Sequence, residues 1–313
     1  MEQQNWTMVT YFFIKGISDV PELQLPIFLL VLLIYLITLG GNMTILTIIY
    51  LDHQLHTPMY FFLGNLSIVD LSSTTASLYK ELLIYITGDR VISYVSCLSQ
   101  LYFLGWFISD ELLILTAMSY DRYVAVCNPL RYTTIMNWRL CSWLAIACWV
   151  VSFVEISPYT LLVTSFSCYK SNVINHFFCD LVPLKKLSCK VNPTLEMFTI
   201  VEGVFVLSII PLLLTTVSYV FIINSILKIQ TSSGRRKAFY TCSSHITVII
   251  LLYTTLVSQY LSPSSNDLEY KKLLSLFNMV AVPMLNPLIY SLKNRDVKLA
   301  LRRQLHFFER NVM

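Results

Sequence analysis

The chain has 313 residues, 56% hydrophobic and only 13% charged, with a net charge of +4 and a mean hydropathy of +0.64. A water-soluble surface is ordinarily built from a sequence about a quarter charged, so this composition excludes a soluble enzyme or scaffold and points to lipid. The small positive charge lies in scattered short clusters, which excludes a nucleic-acid binder, and a single membrane domain over 1–313 accounts for the length.

In chain order, residues 1–23 are mixed and polar and read as an extracellular tail. They lack the basic start, short apolar core and small-residue cleavage site of a signal peptide. The first apolar span is therefore expected to act as an uncleaved signal anchor. Asn5-Trp6-Thr7 is a glycosylation sequon. The same triplet at Asn42 and Asn65 falls inside apolar spans, which leaves Asn5 as the acceptor. A spanning helix needs about 20 mostly apolar residues. Seven stretches reach that length: 24–50, 58–80, 97–121, 139–162, 197–228, 238–261 and 271–292, the last interrupted by Asn278, Asn286 and two prolines. No lipid-exposed strand alternation is present, so helices must satisfy the backbone. The expected fold is an all-α membrane bundle of seven transmembrane helices over 24–292.

Orientation follows from Lys and Arg. One face gathers Arg131, Arg139, Lys228, Arg235, Arg236, Lys237 and the basic residues of 293–313, more than the other face carries. The N-terminus is expected outside and the C-terminus in the cytoplasm. Within 293–313, Val297, Leu301, Leu305 and Phe308 recur at helical spacing among Lys and Arg, the pattern of an amphipathic helix on the inner leaflet.

Cys141 and Cys148 fall inside the fourth span, and Cys127 and Cys242 on the reducing side. Cys97, Cys168, Cys179 and Cys189 face the oxidising side, where disulfides persist. Four cysteines allow three pairings, and spacing does not choose among them. A Cys97–Cys179 bridge would pin the long outer loop across the bundle mouth; Cys168–Cys189 would then close that loop on itself.

Ionisable groups inside apolar spans are costly and mark function. Asn42, Asp70, Glu111 and Asn286 lie within the first, second, third and seventh spans. Together they could form a hydrated cavity for a sodium ion or proton, because paired carboxylates need a cation or a shared proton. The alternative is a hydrogen-bonded structural cluster. Asp121-Arg122-Tyr123 ends the third span; an arginine held by its neighbouring aspartate is quiet, and once released can reach a partner.

Several longer segments carry a resemblance. MSYDRYVAVCNPLRY at 118–132, LHTPMYFFLGNLSIVD at 55–70, HFFCD at 176–180, RRKAFYTCSSHITVI at 235–249 and PMLNPLIYSLKN at 283–294 occur in order over essentially the whole chain. In these the chain resembles vertebrate olfactory receptors, of the larger land-vertebrate class, within the rhodopsin-like receptors that couple to G proteins. The resemblance implies a plasma-membrane receptor without enzymatic activity. It implies odorant binding in the outer half of the bundle and a heterotrimeric stimulatory olfactory G protein that raises cyclic AMP. Carried over, Asp121, Arg122 and Tyr123 form the inner switch, with Tyr219 and Tyr290 as partners. Arg236, Lys237 and His245 sit on the inner sixth helix, and Cys97 pairs with Cys179. The chain departs at Ser119, at Tyr240, at Thr254 and in SLYKEL, where a proline usually precedes the lysine.

At helical spacing, the expected ligand walls are Leu104, Gly105, Ile108 and Ser109 on the third helix and Gly203, Val204 and Leu207 on the fifth. Tyr253, Leu256, Val257 and Tyr260 follow on the sixth and Met279 on the seventh. The lining is apolar with a few hydroxyls, which suits a small hydrophobic molecule with one polar group. Glu155 adds a carboxylate in the outer fourth helix. An ion-coupled transporter is disfavoured because no internal repeat is seen. A membrane enzyme is disfavoured because the five histidines are dispersed without metal-ligand spacing.

Overall fold

The computed structural model describes residues 9–166, 168–189, 193–198, 201, 208–261, 268–293 and 295–312. Most of them are helical. α1 (Pro21–Leu51), α2 (Pro58–Thr87), α3 (Tyr94–Cys127), the single turn α4 (Tyr132–Ile135) and α5 (Trp138–Thr164) form the first half. The outer loop then holds the short α6 (Leu181–Leu187). α7 (Pro193–Phe198) and α8 (Ile210–Leu227) belong to the fifth span, and α9 (Ser232–Leu261) is the sixth. The seventh runs as α10 (Leu268–Leu276), a π turn over Phe277–Ala281 and α11 (Val282–Lys293), followed by α12 (Arg295–Val312). Among the described residues, five of the spans are long and apolar enough to cross a membrane. Among the other two, α2 carries Asp70, Lys80 and Glu81, and α9 has its apolar run over Cys242–Ser258.

Local chemistry sets the ends. Pro21 and Pro58 open their helices at positions where the missing N–H costs nothing. Ser93 caps α3 by accepting from the Ser96 amide at 3.1 Å, and Asn137 caps α5 by accepting from Leu140 at 3.0 Å. With no proline in SLYKEL to interrupt the hydrogen-bond ladder, α2 runs unbroken to Gly88, whose φ of +75° gives the left-handed cap.

The outward faces are apolar. Leu29, Leu30, Leu33 and Leu36 of α1 are each 55% exposed, which water would penalise and lipid does not. Because hydrocarbon provides no hydrophobic drive between helices, close approach and hydrogen bonds must hold them. A Cβ on Gly41 would sit 2.9 Å from the Pro287 ring, so α1 and α11 touch backbone to side chain there. Trp149 Nε1 donates to Asn65 Oδ1 at 3.0 Å and Trp106 Nε1 to the Trp149 carbonyl at 3.1 Å, tying α2, α3 and α5. The C-terminal segment is helical, as α12. Val297 and Ala300 are buried, and Arg303 bonds Asp52 at 2.6 Å, fixing α12 to the first inner loop. Burial works against the Asp52 charge, but the Arg303 hydrogen bond, the Gln54 amide and nearby positive charge outweigh it and hold the carboxyl below its ordinary range.

The 1–23 segment differs from a plain tail. Tyr11–Ile14 forms β1, which pairs antiparallel with β2 (Val91–Ser93) and parallel with β3 (Val173–Ile174) of the outer loop. Phe12 and Ile14 point inward and are fully buried. Gly16, at φ +84°, lets the chain turn over the Glu81 carboxylate, which accepts from the Ile17 amide at 2.9 Å. Arg90 donates to the Lys15 carbonyl at 2.8 Å and to Asp19 at 2.7 Å. The Asn5 sequon lies outside the described residues.

Candidate functional site

The outer end is roofed by the loop between α5 and α7. Cys97 pairs with Cys179 (Cα–Cα 5.4 Å) and Cys168 with Cys189 (5.7 Å). The first bridge draws the loop onto α3, where the Cys179 amide donates to Gln100 Oε1 at 3.0 Å. Phe177, fully buried, and Phe178 are thereby inserted between helices and pack with Leu78, Leu104 and Met279. Burial, and then the charge of Lys272, push the nearby His176 down to about 3; Asp180, which caps α6, is pushed up to about 6 by burial.

Beneath this roof the expected walls divide. Leu104, Ile108 and Met279 belong to one packed inner cluster under Phe177. Tyr253 and Leu256 of α9 are buried in the neighbouring core, and the Tyr253 hydroxyl has no hydrogen-bond partner among the described residues. The Thr255 hydroxyl bonds Asn278, joining α9 to the π turn. Three positions fall elsewhere. A Cβ on Gly105 would collide with the Ile156 side chain, so Gly105 is where α3 presses on α5. Ser109 donates to Glu155 Oε2 at 3.3 Å across the same seam. Val257, 46% exposed, shares the outward stripe of Ile250 and Thr254. A four-residue step along α9 had placed it inward; the helix is rotated so that Leu252, Tyr253 and Leu256 take that face. Gly203, Val204, Leu207 and the Tyr260 side chain lie outside the described residues.

At mid-depth the four polar residues do converge. Asn286 Nδ2 donates to both oxygens of Asp70 at 3.1 and 3.0 Å. Asn42 Nδ2 donates to the Pro283 carbonyl at 3.2 Å, linking α1 to α11. Glu111 is 5% exposed beside this pair. Among the described residues, Asn42 Oδ1, Thr74 Oγ1, Glu111 Oε1 and Asn286 Oδ1 are buried without a hydrogen-bond partner. Buried acceptors left unpaired ask for a donor, an ordered water or a cation.

The inner end corrects one expectation. Asp121 does not pair with Arg122 among the described residues. Its Oδ1 accepts from the Tyr132 hydroxyl of α4 at 2.8 Å, and Arg122 points to the Met59 sulfur of α2. Sulfur is a weak acceptor, so the guanidinium is loosely held. Tyr219 and His245 share a hydrogen bond of 2.7 Å, tying α8 to α9. The Arg122 charge acts on Tyr219, His245 and Tyr290, so these side chains lie near it at the inner end. The Tyr123 ring packs 5.9 Å from that of Phe221. Arg236 is exposed on the rim of a groove of about 530 Å³ between the inner ends of α8 and α9; the Lys237 side chain lies outside the described residues. Tyr132, Met59 and the fully buried Asp110 escaped the sequence reading. Tyr132 and Met59 matter only through contacts distant in sequence. Asp110 sits beside Glu111 in an apolar span, a signal that was available.

Comparison with known proteins finds relatives over nearly the whole chain. The family model described as olfactory receptor matches residues 31–307. Olfactory receptor 8G50 of Mus musculus is 45% identical, the match covering 97% of each chain. Olfactory receptor 5G3 of Homo sapiens is 42% identical, again over 97% of each, and human olfactory receptor 5B12 is 44% identical over 96% of each.

Proposed function

The chain belongs to the olfactory receptor family of odorant-sensing, G-protein-coupled receptors, which are not enzymes, and from that premise we propose how this chain performs the task. It sits in the plasma membrane with its N-terminus outside and its C-terminus inside. It takes small, largely hydrophobic odorants in the outer half of the bundle, between Leu104, Ile108, Tyr253, Leu256 and Met279. The observation that carries this placement is the Tyr253 hydroxyl, buried with no hydrogen-bond partner among the described residues. A buried donor left unpaired is costly, and a ligand oxygen relieves it. Odorants that make this bond better when α9 has moved favour the moved state by that difference and no more.

At the inner end the same movement separates Tyr219 from His245 and exposes Arg122 to a stimulatory olfactory G protein, raising cyclic AMP. The polar cluster of Asp70, Glu111, Asn42 and Asn286 holds a sodium ion in the resting arrangement, where it neutralises two carboxylates that otherwise repel. The ligand placement is tested by cyclic-AMP reporting over an odorant panel. Tyr253→Phe should cost alcohols, aldehydes and ketones about tenfold in potency, one hydrogen bond's worth, and leave hydrocarbon agonists unchanged. An equal loss for both classes would place the hydroxyl outside the site.

A further inference from the structure

The groove of about 530 Å³ between the inner ends of α8 and α9 is apolar along its walls and basic at one end. Ile223 and Leu227 of α8 and Phe239 of α9 wall it at 44, 63 and 60% exposure, beside the buried Ile226. Ser232, Arg235 and Arg236 line the end where α9 begins, and Ser243 lines the deep end. Arg235, Phe239 and Ser243 recur every fourth residue of α9 and share a face, which places Ser243 about 12 Å deeper than Arg235.

Both arginines are exposed, and neither has an ion pair or a side-chain hydrogen bond among the described residues. The sequence gives the reason. Between Glu202 and Asp267 it has no aspartate or glutamate, while Lys228, Arg235, Arg236 and Lys237 all fall in that stretch. The described carboxylates of the inner end are engaged elsewhere: Asp52 with Arg303 at 2.6 Å, Asp121 with Tyr132 at 2.8 Å and Asp296 with Tyr60 at 3.4 Å. The charge of Arg235 and Arg236 is left for an anion from outside the chain, and a guanidinium meets phosphate oxygens with paired N–H donors.

We propose that this groove binds an anionic phospholipid of the inner leaflet, its phosphate against Arg235 and Arg236 and one acyl chain along Leu227, Ile223 and Phe239. The gradient of polarity selects this occupant. A lipid carries charge at the surface and hydrocarbon toward the midplane, in the order in which the groove presents their partners. A free phosphate would leave the exposed apolar walls uncovered, and a zwitterionic lipid brings a cation beside the arginines. Because the lipid touches both helices, it bridges their inner ends, a second tie beside the Tyr219–His245 bond. The assignment of this end to the inner leaflet rests on the orientation proposed above.

The test uses the full-length receptor in phosphatidylcholine nanodiscs with a trace of one of two probes, phosphatidylserine or phosphatidylcholine bearing the same diazirine-labelled acyl chain. A nanodisc offers the probe on both faces, so the result does not depend on which way the chain is oriented. Peptide mapping should find phosphatidylserine on the segments of Ile223, Leu227 and Phe239 about thirtyfold above phosphatidylcholine, about fivefold for each arginine. Arg235→Gln and Arg236→Gln should each lower that ratio about fivefold, and the double substitution should bring it to unity. Arg302→Gln, on the equally basic and exposed face of α12, should leave it unchanged. Equal labelling by the two probes would overturn the proposal, as would a preference for phosphatidylserine no greater at the groove than at the other inner helix ends. A ratio indifferent to the double substitution, with loss of G-protein co-purification instead, would assign the arginines to a protein partner and overturn it too.

Discussion

Replacing Tyr219 by phenylalanine removes one oxygen and nothing else. That oxygen makes the 2.7 Å bond to His245 that ties α8 to α9, and both partners are buried, at 8% and 1% exposure. Losing one partner of a buried hydrogen bond costs about 1–3 kcal/mol. If the bond exists only in the closed arrangement, the closed-to-open ratio falls by the corresponding factor, about 5- to 150-fold. A receptor with about 1% of its molecules open at rest would then show roughly 5–60% open without ligand. The assay is ligand-free cyclic-AMP reporting at matched surface expression, with the thermal midpoint of the purified protein measured alongside. A large rise in basal signal with a lowered midpoint is expected. An unchanged or reduced basal signal would refute the reasoning, since the bond would then not be what holds the inner end shut.

Three further outcomes follow from the same structure. Gly41→Ala puts a methyl 2.9 Å from the rigid Pro287 ring and should cost about 1–3 kcal/mol as overpacking, read as a lower melting temperature; Gly40→Ala, which meets nothing, should leave it unchanged. His176 is held neutral by burial, its pKa pushed down to about 3. Its contribution is therefore complete above the ordinary histidine range and is lost as pH falls below about 6.5, roughly 1.4 kcal/mol at one unit lower. Asp180, pushed up to about 6, works in the opposite sense over that range, so the comparison is with His176→Phe, whose melting temperature should fall less between pH 7.5 and 5.5. For the polar cluster, replacing sodium by choline should lower the melting temperature of the resting receptor but not that of Asp70→Asn; identical salt responses would remove the ion from the account.

Much of this was legible beforehand because the bilayer makes few demands and makes them strictly. Twenty apolar residues must be a helix, so the seven spans and the amphipathic α12 could be read from composition and spacing. Asp70 and Asn286 could be singled out because hydrocarbon tolerates few such groups. The rotation of each helix was less legible. Gly105 and Ser109 face α5 and Val257 faces lipid because nearly every side of these spans is apolar, and a step of three or four residues marks several faces equally well.

What the sequence determined by itself, then, was the number of spans, the buried polar residues and the family. The tertiary structure alone decided that Tyr132 rather than Arg122 holds Asp121, that Tyr11–Ile14 becomes a strand of the outer cap, and that Asp110 is buried against Ser152 of α5. Each of these depends on a partner many residues away or on another helix. Spacing along one chain carries the face of a helix, and only packing fixes which neighbour that face meets.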